Sequence, residues 1–170
     1  MDYKIAITLQ QECINILQEM KHSKIEGVYT DQFADNILGV ILRGKNCMYK
    51  ISNRIVDYYG DEYPSIFIEK SECDTSKHKC YDIGEQQVES IELINDKIYW
   101  KYESDTWNVQ LDIALKIIFK NKELLIEVVD SLAGFMKVST GKVLSPTDIH
   151  EYWDMKTTKI DRFERTAHVL

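Results

Sequence analysis

Residues 108–119 place Val109, Leu111, Ile113, Leu115, Ile117 and Phe119 at every second position, alternating with Asn108, Gln110, Asp112, Ala114, Lys116 and Ile118. A helix would scatter those six apolar side chains around its circumference, whereas an extended strand puts them all on one face. The β-branched content favours the same form. A strand with one wholly apolar face needs a second layer to cover it, and that requirement constrains the rest of the fold. Lys120-Asn121-Lys122 reads as a turn that returns the chain into a strand at residues 124–129, and residues 134–138 add another. An antiparallel meander is the economical arrangement.

Further strands are expected at residues 65–69 and at residues 88–94 and 97–102. The last two flank Asn95-Asp96, a turn-forming pair that suggests a hairpin. The polar stretch 71–87 reads as a long loop, and residues 159–170 as an edge strand. The N-terminal part has helical spacing instead. Ile5, Leu9, Cys13, Ile16, Leu17 and Met20 define a first amphipathic helix ending near His22. Phe33, Ile37, Leu38, Ile41 and Leu42 define a second, capped by Thr30 or Asp31 and closed by Gly44. Met48, Ile51, Ile55, Val56 and Tyr59 define a third, stopped at Gly60. Ser145-Pro146-Thr147-Asp148 would start a short helix over about 146–155. The expected class is therefore α+β, with N-terminal helices packed on a C-terminal antiparallel meander.

With 170 residues, 44 % of them hydrophobic, and only two prolines and seven glycines, the chain has the content of one domain spanning residues 1–170. No basic leader with an apolar core and no apolar run near the roughly 20 residues of a membrane span is visible, so a cytoplasmic location without membrane partners is expected. Cys13, Cys47, Cys73 and Cys80 are irregularly spaced, which favours free thiols.

The net charge of -7 arises in residues 57–92, where ten acids (Asp57, Asp61, Glu62, Glu69, Glu72, Asp74, Asp82, Glu85, Glu89, Glu92) meet three lysines; the remaining 18 acids and 18 bases cancel. Such a zone raises encounter rates with a basic partner and repels nucleic acid. A pI near 5.1 points the same way. Trp100-Lys101-Tyr102, the one aromatic and basic mixture, is explained by core packing with Trp100 and Tyr102 on one strand face.

No catalytic constellation stands out. Ser131, with Asp148 and His150 downstream, offers the residue types of a hydrolase triad, but Val129 occupies a place where a nucleophile elbow needs a small residue. Phosphate-binding glycine patterns are absent. Cys73, His78 and Cys80 could hold zinc only with a fourth ligand from elsewhere, and their spacing is not that of paired CxxC knuckles. A metal-binding or enzymatic accessory domain using that loop is the competing reading; otherwise neither cofactor nor metal is expected.

Three tyrosines alternate with acids in Asp57-Tyr58-Tyr59-Gly60-Asp61-Glu62-Tyr63. Tyrosine supplies contact area with a polar tip, and carboxylates pair with lysine or arginine, so this composition suits a recognition surface. The candidate partner-binding set is Asp57, Tyr58, Asp61, Glu62, Tyr63, Glu69, Glu72 and Asp74. Residues 111–119, 124–127 and 130–135, with the closing Ile160-Asp161-Arg162-Phe163-Glu164-Arg165, cover roughly the C-terminal third. On them, and on its small acidic character, the chain resembles the immunity proteins of bacterial polymorphic toxin systems, including those paired with contact-dependent growth inhibition toxins. The resemblance implies a non-enzymatic role: stoichiometric binding of a cognate toxin domain with a basic surface, such as a nuclease. It implies no particular site residue and no oligomeric state.

Overall fold

The structure, a computed structural model, describes residues 1–31, 36–81 and 83–170. Its elements are β1 (Asp2–Ile7), α1 (Gln11–Met20), β2 (Lys24–Thr30), β3 (Gly39–Gly44), β4 (Met48–Tyr58), β5 (Asp61–Ser71), β6 (Lys79–Tyr81), β7 (Gln86–Tyr102), β8 (Asp105–Phe119), β9 (Glu123–Val128), β10 (Met136–Thr140), α2 (Glu151–Lys156) and β11 (Arg162–Val169). Among the described residues all eleven strands join one largely antiparallel sheet, running β10-β9-β8-β7-β2-β3-β4-β5, with β1 added to β8, β11 to β7 and β6 to β2. The protein is thus mostly β, and the expectation of helices packed on a sheet is overturned.

The expected long strand is present as β8, and its partner β7 is longer still. Both change neighbours along their length. The outer edge of β8 takes β1, in parallel, over Thr106 to Leu111 and then β9 over Ala114 to Ile118. The far edge of β7 pairs with β2 at Gln86 and Gln87 and with β11 from Glu92 to Tyr99. Register shifts lie between Val88 and Ser90 and between Ile94 and Asn95. Each lies beside a change of neighbour, as expected of bulges that bend a strand and increase its twist. The sheet folds back so that β5 faces β8, with β1 and β9 also in reach of β5. Leu111, Ile113, Leu115 and Ile117 are fully buried in the resulting core with Ile51, Tyr63 and Ile68. Helix α1 packs on β5 through Cys13, Leu17 and Met20.

Two of the three expected N-terminal helices are strands. In β4, Tyr49, Ile51 and Asn53 are buried while Lys50, Ser52 and Arg54 are more exposed, a period of two. The polar Asn53 on the inward face interrupts the apolar alternation, and the β-branched Ile51, Ile55 and Val56 favour the extended form. In β3, Val40, Ile41 and Leu42 are buried in succession, a strand covered on both faces. Phe33 lies outside the described residues. Part of the first expected helix is β1, and the helix itself begins only at Gln11.

Asn95 and Asp96 form no turn. They are buried in the middle of β7, and the β7–β8 hairpin closes instead at Glu103-Ser104, between the paired Tyr102 and Asp105. Asn95 Nδ2 donates to Asp112 Oδ1 (2.8 Å), and the Leu9 amide donates to Asp112 Oδ2 (2.6 Å). Asp96 accepts from Arg165 Nε (2.7 Å), the terminal Arg165 Nη2 (2.8 Å) and Trp153 Nε1 (2.9 Å). These partners satisfy groups that turn propensity alone would have left in water. The stretch 71–87 carries the short β6. The second helix starts later than expected, with His150 rather than Ser145 as its cap. β9, β10 and β11 match the expected C-terminal strands, with β11 antiparallel on β7.

Candidate functional site

Tyr59 and Gly60 join β4 to β5 as a two-residue turn with φ of 61° and 79°. Two consecutive left-handed residues are the requirement of a type I′ hairpin, whose twist matches that of the flanking strands. Glycine has no Cβ penalty there, and Asp57 Oδ1 accepts from the Gly60 amide (3.2 Å). Gly60 is therefore a hairpin residue and not a helix stop. The turn projects Asp57, Tyr58, Asp61 and Glu62 at one end of the molecule.

A second wall comes from the connection after β9. Asp130 Oδ1 accepts from the amides of Leu132 (3.1 Å), Ala133 (3.0 Å), Gly134 (2.9 Å) and Phe135 (3.3 Å), so one carboxylate oxygen organises the whole loop. Asn53 anchors the loop to the sheet, its Nδ2 donating to the carbonyls of Asp130 (2.8 Å) and Phe135 (3.2 Å) while its Oδ1 accepts from the Ser65 amide (3.2 Å). This is the chain turning at the end of a strand, with Gly134 at a φ of 75°.

Helix α2 supplies the third wall. His150 Nδ1 accepts from the Tyr152 amide (3.2 Å), and its Nε2 lies 3.2 Å from Glu127 Oε1. That pattern assigns the proton to Nε2 and uses Nδ1 as the helix cap. Burial pushes the Glu127 carboxyl up, but the His150 hydrogen bond and the Lys142 ammonium (2.9 Å) outweigh it and hold it below the usual range. With both ring nitrogens committed, His150 cannot act as general base for Ser131, and the triad geometry is not met. At the other end of α2, Lys156 Nζ donates to Asp61 Oδ1 (2.5 Å) and the Glu62 carbonyl (2.6 Å), and sits 4.0 Å from the Tyr63 ring centre.

Together these walls enclose a cleft of about 460 Å³ lined by Asp57, Gly60, Asp61, Glu62, Asp130, Ser131, Leu132, Tyr152, Met155 and Lys156. Exposed apolar side chains surround it: Tyr59 at 69 %, Leu132 at 83 % and Met155 at 66 %. Tyr59 continues into an aromatic row, packing edge-on to Tyr3 (5.2 Å), which stacks on Trp107 (4.1 Å) and through it on the buried Trp100 (5.6 Å). Tyr102, expected on the Trp100 face as core, is exposed.

The structure gathers Asp57, Asp61 and Glu62 in this cleft and places Tyr58 beside them, but it divides the rest of the predicted set. Tyr63 is fully buried, its hydroxyl donating to Asp61 (3.0 Å), so it supports the site from beneath. Glu69 lies along β5, 3.9 Å from Lys50 and 3.7 Å from Arg54. Glu72 and Asp74 follow the far end of β5, about 33 Å from the hairpin at roughly 3.3 Å per residue. The contiguous acidic stretch is therefore distributed over both ends of the molecule, and Glu85 is paired with Lys24. Asp82 lies outside the described residues. Sequence reasoning missed Asp130, Tyr152, Met155 and Lys156. The Asp-x-x-x-Gly of the 130–134 loop is the one local signal among them, since an Asx-type turn at a strand end needs such residues.

The loop bearing Cys73, His78 and Cys80 forms no gathered ligand set. The Cys73 thiol meets the Ser71 hydroxyl (2.7 Å), while the Cys80 thiol faces the Tyr29 hydroxyl. Among the described residues no group of three or more His, Cys, Asp or Glu side chains could hold a metal ion. All four cysteines are free thiols. Among the described residues no helix is long and apolar enough to cross a membrane. No protein-family model matches the chain, and neither a curated protein nor a solved structure shows significant similarity to it.

Proposed function

We propose that this protein is an immunity protein, which binds a cognate bacterial toxin domain one-to-one and blocks it without performing a reaction. The observation that carries the reading is the hairpin end of the molecule, where Tyr59, Leu132 and Met155 stand exposed around a carboxylate-lined cleft. Exposed aromatic and aliphatic side chains inside a polar rim are the anatomy of a protein interface. The negative sign of the cleft fits a partner with a basic surface and would accelerate their encounter. The walls are strand ends and a loop pinned by Asp130 and Asn53, so the surface is preorganised and little ordering entropy is lost on docking.

The test is to capture partners from cells that naturally make the protein, then express the captured protein in a naive host with and without this chain. Growth arrest by the partner alone and recovery on co-expression is the expected result. A partner that is harmless alone, or arrest that co-expression leaves untouched, removes the immunity reading.

A further inference from the structure

The cleft between the β4–β5 hairpin, the 130–135 loop and α2 contains one feature that its own residues do not satisfy. Tyr152 is 1 % exposed and lines the floor. Its hydroxyl is covered from water and makes no hydrogen bond of standard geometry, although the Ser131 hydroxyl is close enough to moderate its acidity. The charge of Asp61 also reaches it. Ser131 and Asp61 line the same cleft, so the hydroxyl is directed into it. A buried phenol oxygen that accepts no hydrogen bond is costly, and a donor that enters the cleft and displaces its cover can supply one.

The charges around the hydroxyl define what that group must be. Four carboxylates, from Asp57, Asp61, Glu62 and Asp130, line the cleft against one ammonium, from Lys156. Asp61 is already taken up by Lys156 and Tyr63, and Oδ1 of Asp130 by four backbone amides. The Glu62 carboxylate has no ion-pair partner among the described residues, and the one bond to Asp57, from the Gly60 amide, uses a single oxygen. The site therefore retains spare acceptors on two sides and a neutral oxygen at its base, with Met155 and Leu132 as apolar flanks.

From this arrangement we infer that the cleft accepts an arginine side chain of the protein partner, its guanidinium held by Glu62 and Asp57 and donating to the Tyr152 oxygen. A planar guanidinium presents donors in several directions at once and is weakly hydrated, so it suits acceptors placed around a partly apolar slot; a lysine ammonium, strongly hydrated and compact, does not. The inference rests on the partner-binding reading above and specifies the chemistry of the side chain that enters the site.

The test needs no knowledge of the partner. The intact protein is titrated by NMR with N-acetyl-arginine methylamide, with the lysine analogue and with the uncharged norleucine analogue at low ionic strength. For the arginine probe, saturable shifts confined to Glu62, Ser131, Leu132 and Tyr152 are expected, with Kd on the order of 1 mM for so small a ligand. Tyr152→Phe, which keeps the ring and removes only the hydroxyl, should weaken binding about fivefold, and the exposed Glu62→Gln by a similar factor. Shifts that do not saturate, that spread over the whole acidic surface, that are matched by the lysine probe, or that persist unchanged in both variants overturn the inference. Its failure and that of the immunity reading are separable. A toxin neutralised equally well by both variants would sink the arginine site and leave the role intact; probe binding that the variants abolish would support the site even if no toxic partner existed.

Discussion

Replacing Arg165 by Met tests the claim that a buried ion pair holds the C-terminal strand and α2 in place. Asp96 is fully buried, and the Arg165 side chain is only 4 % exposed. Arg165 donates twice to the Asp96 carboxylate, and also to the carbonyls of Ser145 (2.7 Å) and Asp148 (3.0 Å). The methionine fills a similar volume but leaves Asp96, among the described residues, with only the Trp153 indole as a side-chain donor. Removing one partner of a buried pair costs about 3–5 kcal/mol, chiefly because the surviving charge stays desolvated. Against a typical total stability of roughly 5–15 kcal/mol that is a large fraction. With a urea m-value of about 2 kcal/mol/M, the midpoint should fall by about 1.5–2.5 M, read by fluorescence from the tryptophans. The double variant Asp96→Leu/Arg165→Met should lie much closer to the wild type than the single one does, since no charge is left unpaired. A single-variant shift under about 0.5 M, or a double variant no more stable than the single, would refute the reasoning.

The remaining predictions concern the loop and two other buried acids. Gly134→Ala should lower stability by about 2–3 kcal/mol in the same assay, because φ is +75° there and the new Cβ would lie 2.9 Å from the Asn53 carbonyl oxygen; it should also weaken partner binding, since that loop walls the cleft. Burial raises the Asp112 carboxyl above its ordinary value, with the Asn95 and Leu9 bonds only partly opposing. Its ionised form is therefore disfavoured in the fold, and its contribution declines as pH rises through the raised value. Asp112→Asn, with Asn95 reoriented to accept, should stay within about 1 kcal/mol of wild type at pH 7 and flatten the stability profile above pH 4. Glu127 has the opposite sign. Its depressed folded value means that its stabilisation is present above the unfolded value of about 4.3 and is lost as pH falls through the folded one, so Glu127→Gln should remove part of the acid-side loss seen in pH-dependent melting.

How far the fold could be read depended on whether one periodicity dominated. Residues 108–119 satisfy only the period of two, and β8 is where it was expected. In residues 48–59 two periods compete: Met48, Ile51, Ile55 and Tyr59 fit a helix, while Tyr49, Ile51, Asn53 and Ile55 fit a strand. An inward asparagine hides the second pattern, because its hydrogen bonds to the 130–135 loop depend on residues more than seventy positions away. Asn95-Asp96 misled for the same reason. Turn propensity is local, and the Arg165 and Trp153 that make burial tolerable come from the end of the chain. The site was half legible. The tyrosine and acid composition marked the hairpin tip, but the second and third walls, Asp130 and Tyr152, meet it only through tertiary packing. Charge density along the chain proved a poor guide to a surface, since a strand of eleven residues carries its ends far apart.

The parallel pairing of β1 with β8 sets Asp2 opposite Thr106. During synthesis the first strand therefore has no mate until more than a hundred further residues have left the ribosome, and closing so large a loop demands that β7 and β8 already be in place. Contacts this distant slow folding and leave apolar segments such as Ile5 and Ile7 open to wrong associations in the interval. In the nascent protein β1 would accordingly wait, unpaired, until β8 has emerged to receive it.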